Sequence, residues 1–373
     1  MARGTARKID YFTLTIFLVL LGVGLAALAS ASSDLGKINH DDPFFYLKDQ
    51  IIFGLGVGAL AFLGGLFINY RLYKTLATPI LLVNVGLLLL LLSPLGITAG
   101  GAQRWIAVGP LTMQPSELLK LTIVLYLAAW LSSERRTTRE KSLSEGLIPF
   151  VSMVGFICLI LLFQNSTSAA VIIGFVSLLI YFSSGARWPF VIVIALGGLL
   201  LVTTFILSTP YRLERIRGFV DPSVDVQGSS YQTNQALTVI GSGGLFGVGY
   251  GQSTAKNFLP ERMGDSIFAI IAEEFGFVGS MVVLFLYTGL VIRGAMLADK
   301  IKDKFGKLVL AGFAATIGTQ TLVHIASTVG SIPTTGVPLP FVSYGNFSLV
   351  VFMAMVGIMR DSRTYISGSS GGV

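Results

Sequence analysis

The sequence predicts an all-α polytopic membrane protein of about ten transmembrane helices, with both termini cytoplasmic and no sizeable soluble domain. Three observations predict it. Of 373 residues, 53% are hydrophobic and only 12% charged, with a mean hydropathy of +0.78, too apolar for a water-soluble core to hide. Runs of roughly 20 apolar residues, enough to cross about 30 Å of hydrocarbon, recur from Tyr11 to Arg360. Lysine and arginine gather in alternate connections, as the cytoplasmic side of a membrane favours.

The first span covers residues 11–30, behind Arg3, Arg7 and Lys8. The Ala29-Ser-Ala-Ser-Ser run resembles a signal-peptidase site, but the apolar stretch is longer than a signal core and reads as a retained helix. Further spans are 50–69, 78–97, 115–132, 145–163, 167–183, 188–208, 267–292, 308–327 and 341–359. Arg71, Lys74, Arg135, Arg136, Arg139, Lys141, Arg187, Arg293, Lys300 to Lys307, Arg360 and Arg363 then share the side of the N-terminal basic residues. The opposite side holds Lys37, Lys48, Arg104 and the basic residues of one long segment, 209–266. That segment is the large extracytoplasmic loop between helices 7 and 8, within a single transmembrane domain spanning 1–373. Its Tyr211, Phe219, Tyr231 and Phe258, with the apolar stretch 236–240, argue for short helices and re-entrant pieces at the outer membrane surface.

Composition also excludes functions. The 43 glycines suit close helix packing in lipid. Cys158 is the only cysteine and lies in an apolar run, so the chain has no internal disulfide and no Cys-rich metal site. The net charge of +7 sits at helix ends instead of in one stripe, which points to topology and away from nucleic acid. Absence of an internal repeat disfavours inverted-repeat transporters.

Several polar groups are candidates for chemistry. Asp265 stands where the long loop enters an apolar helix. Partial desolvation there raises a carboxyl pKa and suits it to accept a proton, whereas the structural alternative is a helix N-cap. Glu117 and Lys120 follow Gln114-Pro-Ser at i, i+3 spacing, so opposite charges share one helical face just inside a span, as a functional pair or a structural one. Near the outer end, they would line one outward cavity with Asp265. Glu273 and Glu274 lie about two turns into the following helix, where at least one must point inward to bind a cation or hold a basic partner. Arg104 can pair with phosphate and Trp105 anchors at the interface. Arg212, Arg215 and Arg217 attract an anionic headgroup or dock on lipid phosphates. The glycine-rich run 241–252 matches no nucleotide-binding loop and reads as a tightly packed turn. Residues 331–348 break the helical pattern with prolines, which membranes tolerate only beside protein or a water-filled cavity. His324 reads as hydrogen-bonded structure before it reads as a metal ligand.

Taken together, Gly101-Ala-Gln-Arg-Trp-Ile, Gln114-Pro-Ser-Glu-Leu-Leu-Lys, Tyr211-Arg-Leu-Glu-Arg-Ile, Asp221-Pro, Tyr231-Gln, Ile240-Gly-Ser-Gly-Gly-Leu-Phe-Gly, Leu259-Pro-Glu-Arg, Ala272-Glu-Glu and Pro338-Leu-Pro-Phe-Val-Ser-Tyr-Gly resemble the SEDS family of cell-wall proteins. Its members include FtsW, RodA and SpoVE, and the segment beginning Asp42-Pro-Phe-Phe is nearer the FtsW members. The resemblance implies a peptidoglycan glycosyltransferase of the bacterial cytoplasmic membrane. It would polymerise lipid II on the outer face during division or elongation, beside a class B penicillin-binding protein and other division or elongation proteins. The family's loop acid carries over onto Asp265, and its intramembrane acid and base onto Glu117 and Lys120. Three stretches depart from the family: Met263-Gly-Asp stands for His-Thr-Asp, Gln164-Asn-Ser-Thr-Ser for Gln-Pro-Asp-Leu-Gly, and Tyr344-Gly-Asn for Tyr-Gly-Gly.

On this reading Asp265 is the general base, or else holds a metal or the acceptor sugar. Glu117, Lys120, Arg104, Arg212, Glu273, Glu274 and Ser343 form the substrate-binding set. Pyrophosphate charge falls to Lys120, Arg104, the loop arginines or a divalent cation such as Mg²⁺ or Mn²⁺. A lipid II flippase and a non-catalytic division scaffold are the rival readings. Dense polar chemistry on the outer side favours the enzyme over the flippase.

Overall fold

A computed structural model describes residues 10–94, 96–99, 102–108, 111–133, 139–221 and 230–360. Of the topology-setting basic residues, Arg3, Arg7, Lys8, Arg135, Arg136 and Arg363 lie outside the described residues.

The chain runs through α1 (Tyr11–His40), α2 (Phe45–Asp49) continued by a π-helical turn into α3 (Val57–Phe67), and α4 (Tyr70–Leu90). Strands β1 (Ile97–Ala99), β2 (Ala102–Val108) and β3 (Leu111–Met113) follow. After them come α5 (Pro115–Leu131), α6 (Ile148–Phe163), α7 (Thr167–Ser183) and α8 (Trp188–Leu207). Short helices α9 (Pro210–Val220) and α10 (Tyr231–Ser242) precede the long α11 (Ile267–Lys300), α12 (Lys304–Thr328) and α13 (Asn346–Arg360).

Each expected span overlaps a helix. Among the described residues, seven helices are long and apolar enough to cross a membrane, and α7 and α13 are shorter apolar helices. α5, interrupted by Glu117 and Lys120, packs among α4, α7, α12 and α13 and buries residues on every face, including Leu119, Val124 and Leu127. α8 is its opposite: twenty almost wholly apolar residues, none buried. A helix apolar all round and unburied by protein has lipid as its solvent.

Two of the expected span boundaries differ in the structure. The third span does not reach residue 97. Asn69 caps α4 by accepting the Arg71 N–H at 3.0 Å, so the helix starts early and ends at Leu90. Strands β1, β2 and β3 instead follow it as a three-stranded antiparallel sheet in the order β1-β2-β3. Thr98, Trp105, Ile106 and Val108 favour strands, and glycine-containing dipeptides separate the strands in sequence. The last span begins at Asn346 instead of 341, because the proline-rich segment before it stays irregular.

α11 is broken. Gly276 has φ +68° inside it, which frees backbone groups on either side of the break. The glycine-rich run takes them up: Val248 and Gly249 donate to the Glu273 and Glu274 carbonyls at 2.9 and 3.1 Å, and Phe277 and Val278 donate to Gly244 and Leu245 at 2.9 and 3.1 Å. Close approach requires glycine there. A Cβ on Gly247, whose φ is +81°, would stand 2.2 Å from the Glu274 carbonyl oxygen.

Gly247→Ala should therefore cost at least about 1–2 kcal/mol from backbone conformation alone, read as a lower melting temperature of the detergent-purified protein. Gly241→Ala, where an added Cβ meets nothing within 4 Å, should stay within about 0.5 kcal/mol of the parent.

Candidate active site

Pro115 opens α5 and puts Glu117 in its first turn, with Lys120 one turn on. Both are buried, at 6% and 2% exposure. Lys120 Nζ lies 2.5 Å from Glu117 Oε1, donates to Gln320 Oε1 at 2.6 Å, and sits 5.8 Å from the Phe352 ring centroid. Ser348 Oγ donates to the other Glu117 oxygen at 2.8 Å. Each charge thus has its opposite and a neutral partner, which is what burial of an ion pair demands.

Asp265 lies at the end of a tight turn in which Gly264 and Ser266 donate to the Glu261 carbonyl at 3.0 and 3.3 Å. The proline-rich segment grips this turn. Ser343 Oγ donates to the Gly264 carbonyl at 2.6 Å, and the Tyr344 N–H to that of Met263 at 2.9 Å. From α12, Thr328 Oγ1 reaches the Asp265 carbonyl at 3.4 Å. The N-cap of α11 is Ser266, which makes no side-chain cap bond, so the Asp265 carboxylate is not spent on capping. It faces Gly336, where an added Cβ would lie 3.5 Å from Oδ2. Burial pushes its pKa up to about 6, helped by the Glu261 charge and opposed by Arg215 and Arg104.

A cavity of about 690 Å³ joins these parts, lined among others by Asp265, Glu261, Glu117, Arg104, Trp105 and Asn346. A smaller hollow of about 40 Å³ shares Arg104 and Glu117 with it and adds Lys120, Ser168 and Thr335. Of the three charges expected in one cavity, Asp265 and Glu117 share the larger space, whereas Lys120 lines only the smaller one beside Glu117. Arg104, on β2, donates to the Asn165 carbonyl, and Arg215, on α9, to the Thr334 carbonyl at 3.1 Å. Both guanidinium groups are close enough to influence Asp265.

Three of the expected substrate-binding residues are elsewhere. Glu273 and Glu274 are both buried, as expected of at least one, but do not line the cavity. They accept from Ser253 and Ser30, beside Lys256, whose ammonium donates to the Ser30 carbonyl at 3.0 Å. Their helical phase, combined with the break at Gly276, turns them toward α1 and the residues after the glycine-rich run. The Ser343 hydroxyl is spent between the Leu339 N–H and the Gly264 carbonyl, so it shapes the Asp265 turn without facing the cavity. Arg212 falls on α9, with its side chain outside the described residues.

Sequence reasoning passed over Gln320, Ser348 and Asp49. Asp49 accepts from Tyr344 Oη at 2.7 Å and Asn346 Nδ2 at 2.6 Å, and so holds the start of α13. A glutamine inside an apolar helix was a signal for Gln320. Among the described residues, no three of His, Cys, Asp and Glu group to hold a metal ion.

Fold and cavity together define a multi-pass helical membrane protein with a cavity lined by Asp265 and Glu117 and walled by the irregular segment before α13. The chain belongs to the FtsW/RodA/SpoVE family: the family model, described as "Cell cycle protein", matches residues 11–366. Stage V sporulation protein E of Bacillus subtilis is 35% identical over 358 residues, covering 95% of this chain and 97% of that protein. A probable peptidoglycan glycosyltransferase FtsW of Geobacter sulfurreducens is 33% identical, covering 97% and 98%. Among solved structures, a chain from a peptidoglycan synthase complex that coordinates polymerization and crosslinking superposes with a TM-score of 0.81 at 28% identity, over 98% of this chain and 100% of that one. The rod shape-determining protein RodA of Thermus thermophilus gives 0.69 at 28% identity, over 97% and 99%. Family membership and the apolar helices make this a multi-pass protein of the bacterial cytoplasmic membrane.

Lys120→Met strands the Glu117 carboxylate in a buried site and should cost about 3–5 kcal/mol. The double replacement Glu117→Gln/Lys120→Met should recover most of that loss, with both read by thermal unfolding in detergent.

Proposed function

We propose that this protein is a peptidoglycan glycosyltransferase that polymerises lipid II into glycan strands. The cavity carries the reading, because it sets a carboxyl group with a raised pKa opposite paired and basic groups in one space. Its volume of about 690 Å³ falls within the roughly 300–1,000 Å³ of small-molecule sites. Ten crossings, both termini in the cytoplasm and the 209–266 segment outside would open this cavity to the outer face. The relatives named as probable peptidoglycan glycosyltransferases support the activity.

In the reaction, the 4-hydroxyl of one lipid-linked disaccharide attacks the anomeric carbon of another. Asp265 accepts the hydroxyl proton as the new glycosidic bond forms. Undecaprenyl pyrophosphate leaves from the opposite face, and the α linkage inverts to β. Arg104 and Lys120 offset the growing charge on the diphosphate, and Glu117 holds the Lys120 ammonium in place. The lipid tails pass between helices into the bilayer. The likeness to a chain of a peptidoglycan synthase complex supports a crosslinking partner of the class B penicillin-binding type.

Purified protein given lipid II, with and without such a partner, should make glycan strands. Asp265→Asn should slow polymerisation by about 10²- to 10⁴-fold while substrate binding persists. Strands formed by the variant at the parent rate would remove the base role, and a parent that moves lipid II across vesicles without polymerising it would favour a flippase.

A base works only when deprotonated, and the Asp265 carboxyl is raised to about 6. The parent rate should therefore climb with pH through about 6 and level off above it, as read from a pH–rate profile.

A further inference from the structure

Three side chains of α12 stand at i, i+4 and i+8, on one stripe of the helix: Gln320, His324 and Thr328. All are buried, with exposures of 0%, 1% and 4%. Polar groups inside a membrane helix carry a cost, so what they bond to matters.

Gln320 and His324, with Ser327 beside them, bond to the irregular segment that walls the cavity. Going down α12, Ser327 Oγ accepts the Thr335 N–H at 3.1 Å. His324 Nδ1 meets the Val337 carbonyl at 2.7 Å, and Gln320 Nε2 donates to the Pro338 carbonyl at 2.8 Å. A carbonyl only accepts, so Nδ1 carries the proton. Segment 335–338 thus descends α12 antiparallel to it and takes from the helix side chains bonds that an irregular backbone cannot make within itself.

Two connections carry this contact to the chemistry. Gly336, in the middle of the segment, is the residue opposite the Asp265 carboxylate. Gln320 also accepts from Lys120 at 2.6 Å, and Thr328 bridges the His324 and Asp265 carbonyls at 2.8 and 3.4 Å.

We propose that Gln320 and His324 are positioning residues of the polymerase site, holding the 336–338 wall against Asp265 and tying that wall to Lys120. The inference rests on the polymerase reading above. It acts through geometry: a wall that relaxes outward admits water to Asp265 and lowers the proton affinity that burial confers. The groups that bear on that carboxylate, Glu261 from its own turn, Arg215 from α9 and Arg104 from β2, stay unchanged in the test.

His324 uses Nδ1, while its Nε2 is buried and makes no bond among the described residues. Asparagine places an amide nitrogen at the reach of Nδ1, whereas glutamine places it at the reach of Nε2 and phenylalanine offers none. Polymerisation of lipid II is measured for His324→Asn, His324→Gln and His324→Phe across pH, with thermal unfolding of each. His324→Asn should stay within about twofold of the parent in kcat, with the acid limb of its pH profile unmoved. His324→Gln and His324→Phe should lose about tenfold in kcat, and their acid limb should move down by about half a pH unit or more. Gln320→Met should repeat that loss and stands in for any His324 variant that cannot be purified. Parent kcat and an unmoved acid limb in the Gln, Phe and Met variants, with only the melting temperature reduced, would overturn the inference alone. A parent protein that forms no glycan would overturn the polymerase reading and this inference with it.

Discussion

Backbone that leaves the helix inside a membrane protein must find its hydrogen bonds in the protein, because lipid offers none. Two segments of this chain leave the helix after Asp265. One is the break at Gly276, about two and a half turns from the start of α11; the other is the irregular stretch between α12 and α13. Each is satisfied by a different device. The glycine-rich run approaches the first closely enough for direct backbone pairing, and the second is caught by side chains of α12 and by Ser343 folding back on its own segment. Asp265 stands on a turn held by the second of these segments and by α12. At the second segment the polar chemistry and the backbone irregularity are therefore one feature: the residues that leave the helix wall the cavity and also make the bonds that fix that wall.

The charges divide in the same spirit. Glu117 and Lys120 are spent on each other and on Ser348 and Gln320, so their burial is stable and their geometry defined. Asp265 has no such ion pair at close range among the bonds described. Its basic neighbours, Arg104 and Arg215, are both directed to backbone carbonyls, at Asn165 and Thr334. Their charge lowers its pKa by less than burial and Glu261 together raise it, which leaves the carboxyl near 6 and able to exchange a proton near neutral pH.

What could be read from the sequence follows from how local each feature is. Glu117 and Lys120 were legible because both partners lie on one helix at i, i+3, where spacing alone sets the contact. Gln320 and Ser348 complete that network from helices some two hundred residues further on, and no periodicity links them to it. Asp265 was legible as an acid at the boundary of a loop and an apolar helix, but not the convergence of Arg104 and Arg215 upon it. At least one of Glu273 and Glu274 was expected to point inward, and both are buried. Helical phase could not say toward which neighbours, because the break at Gly276 and the folding of the glycine-rich run decide that. The sheet was missed for a related reason: the apolar run of α4 continues past its end, and three short strands give a weaker pattern than the helix before them.

The departures from the family pattern become intelligible once the contacts are known. Where the family usually has an acid, this chain has Gln164-Asn-Ser-Thr-Ser. Asn165 takes φ +58°, a conformation asparagine tolerates, and its backbone carbonyl accepts from Arg104. The guanidinium is thereby held by a main-chain oxygen. At the start of α13, Asn346 replaces a glycine and donates to Asp49, alongside Tyr344. An amide there adds a second bond to the carboxylate that fixes the helix from which Ser348 reaches Glu117. Both changes lie on the cavity rim and both leave its charged groups in place. The constraint on this site accordingly falls on where Arg104 and Glu117 are held and how they are oriented, more than on the side chains that hold them.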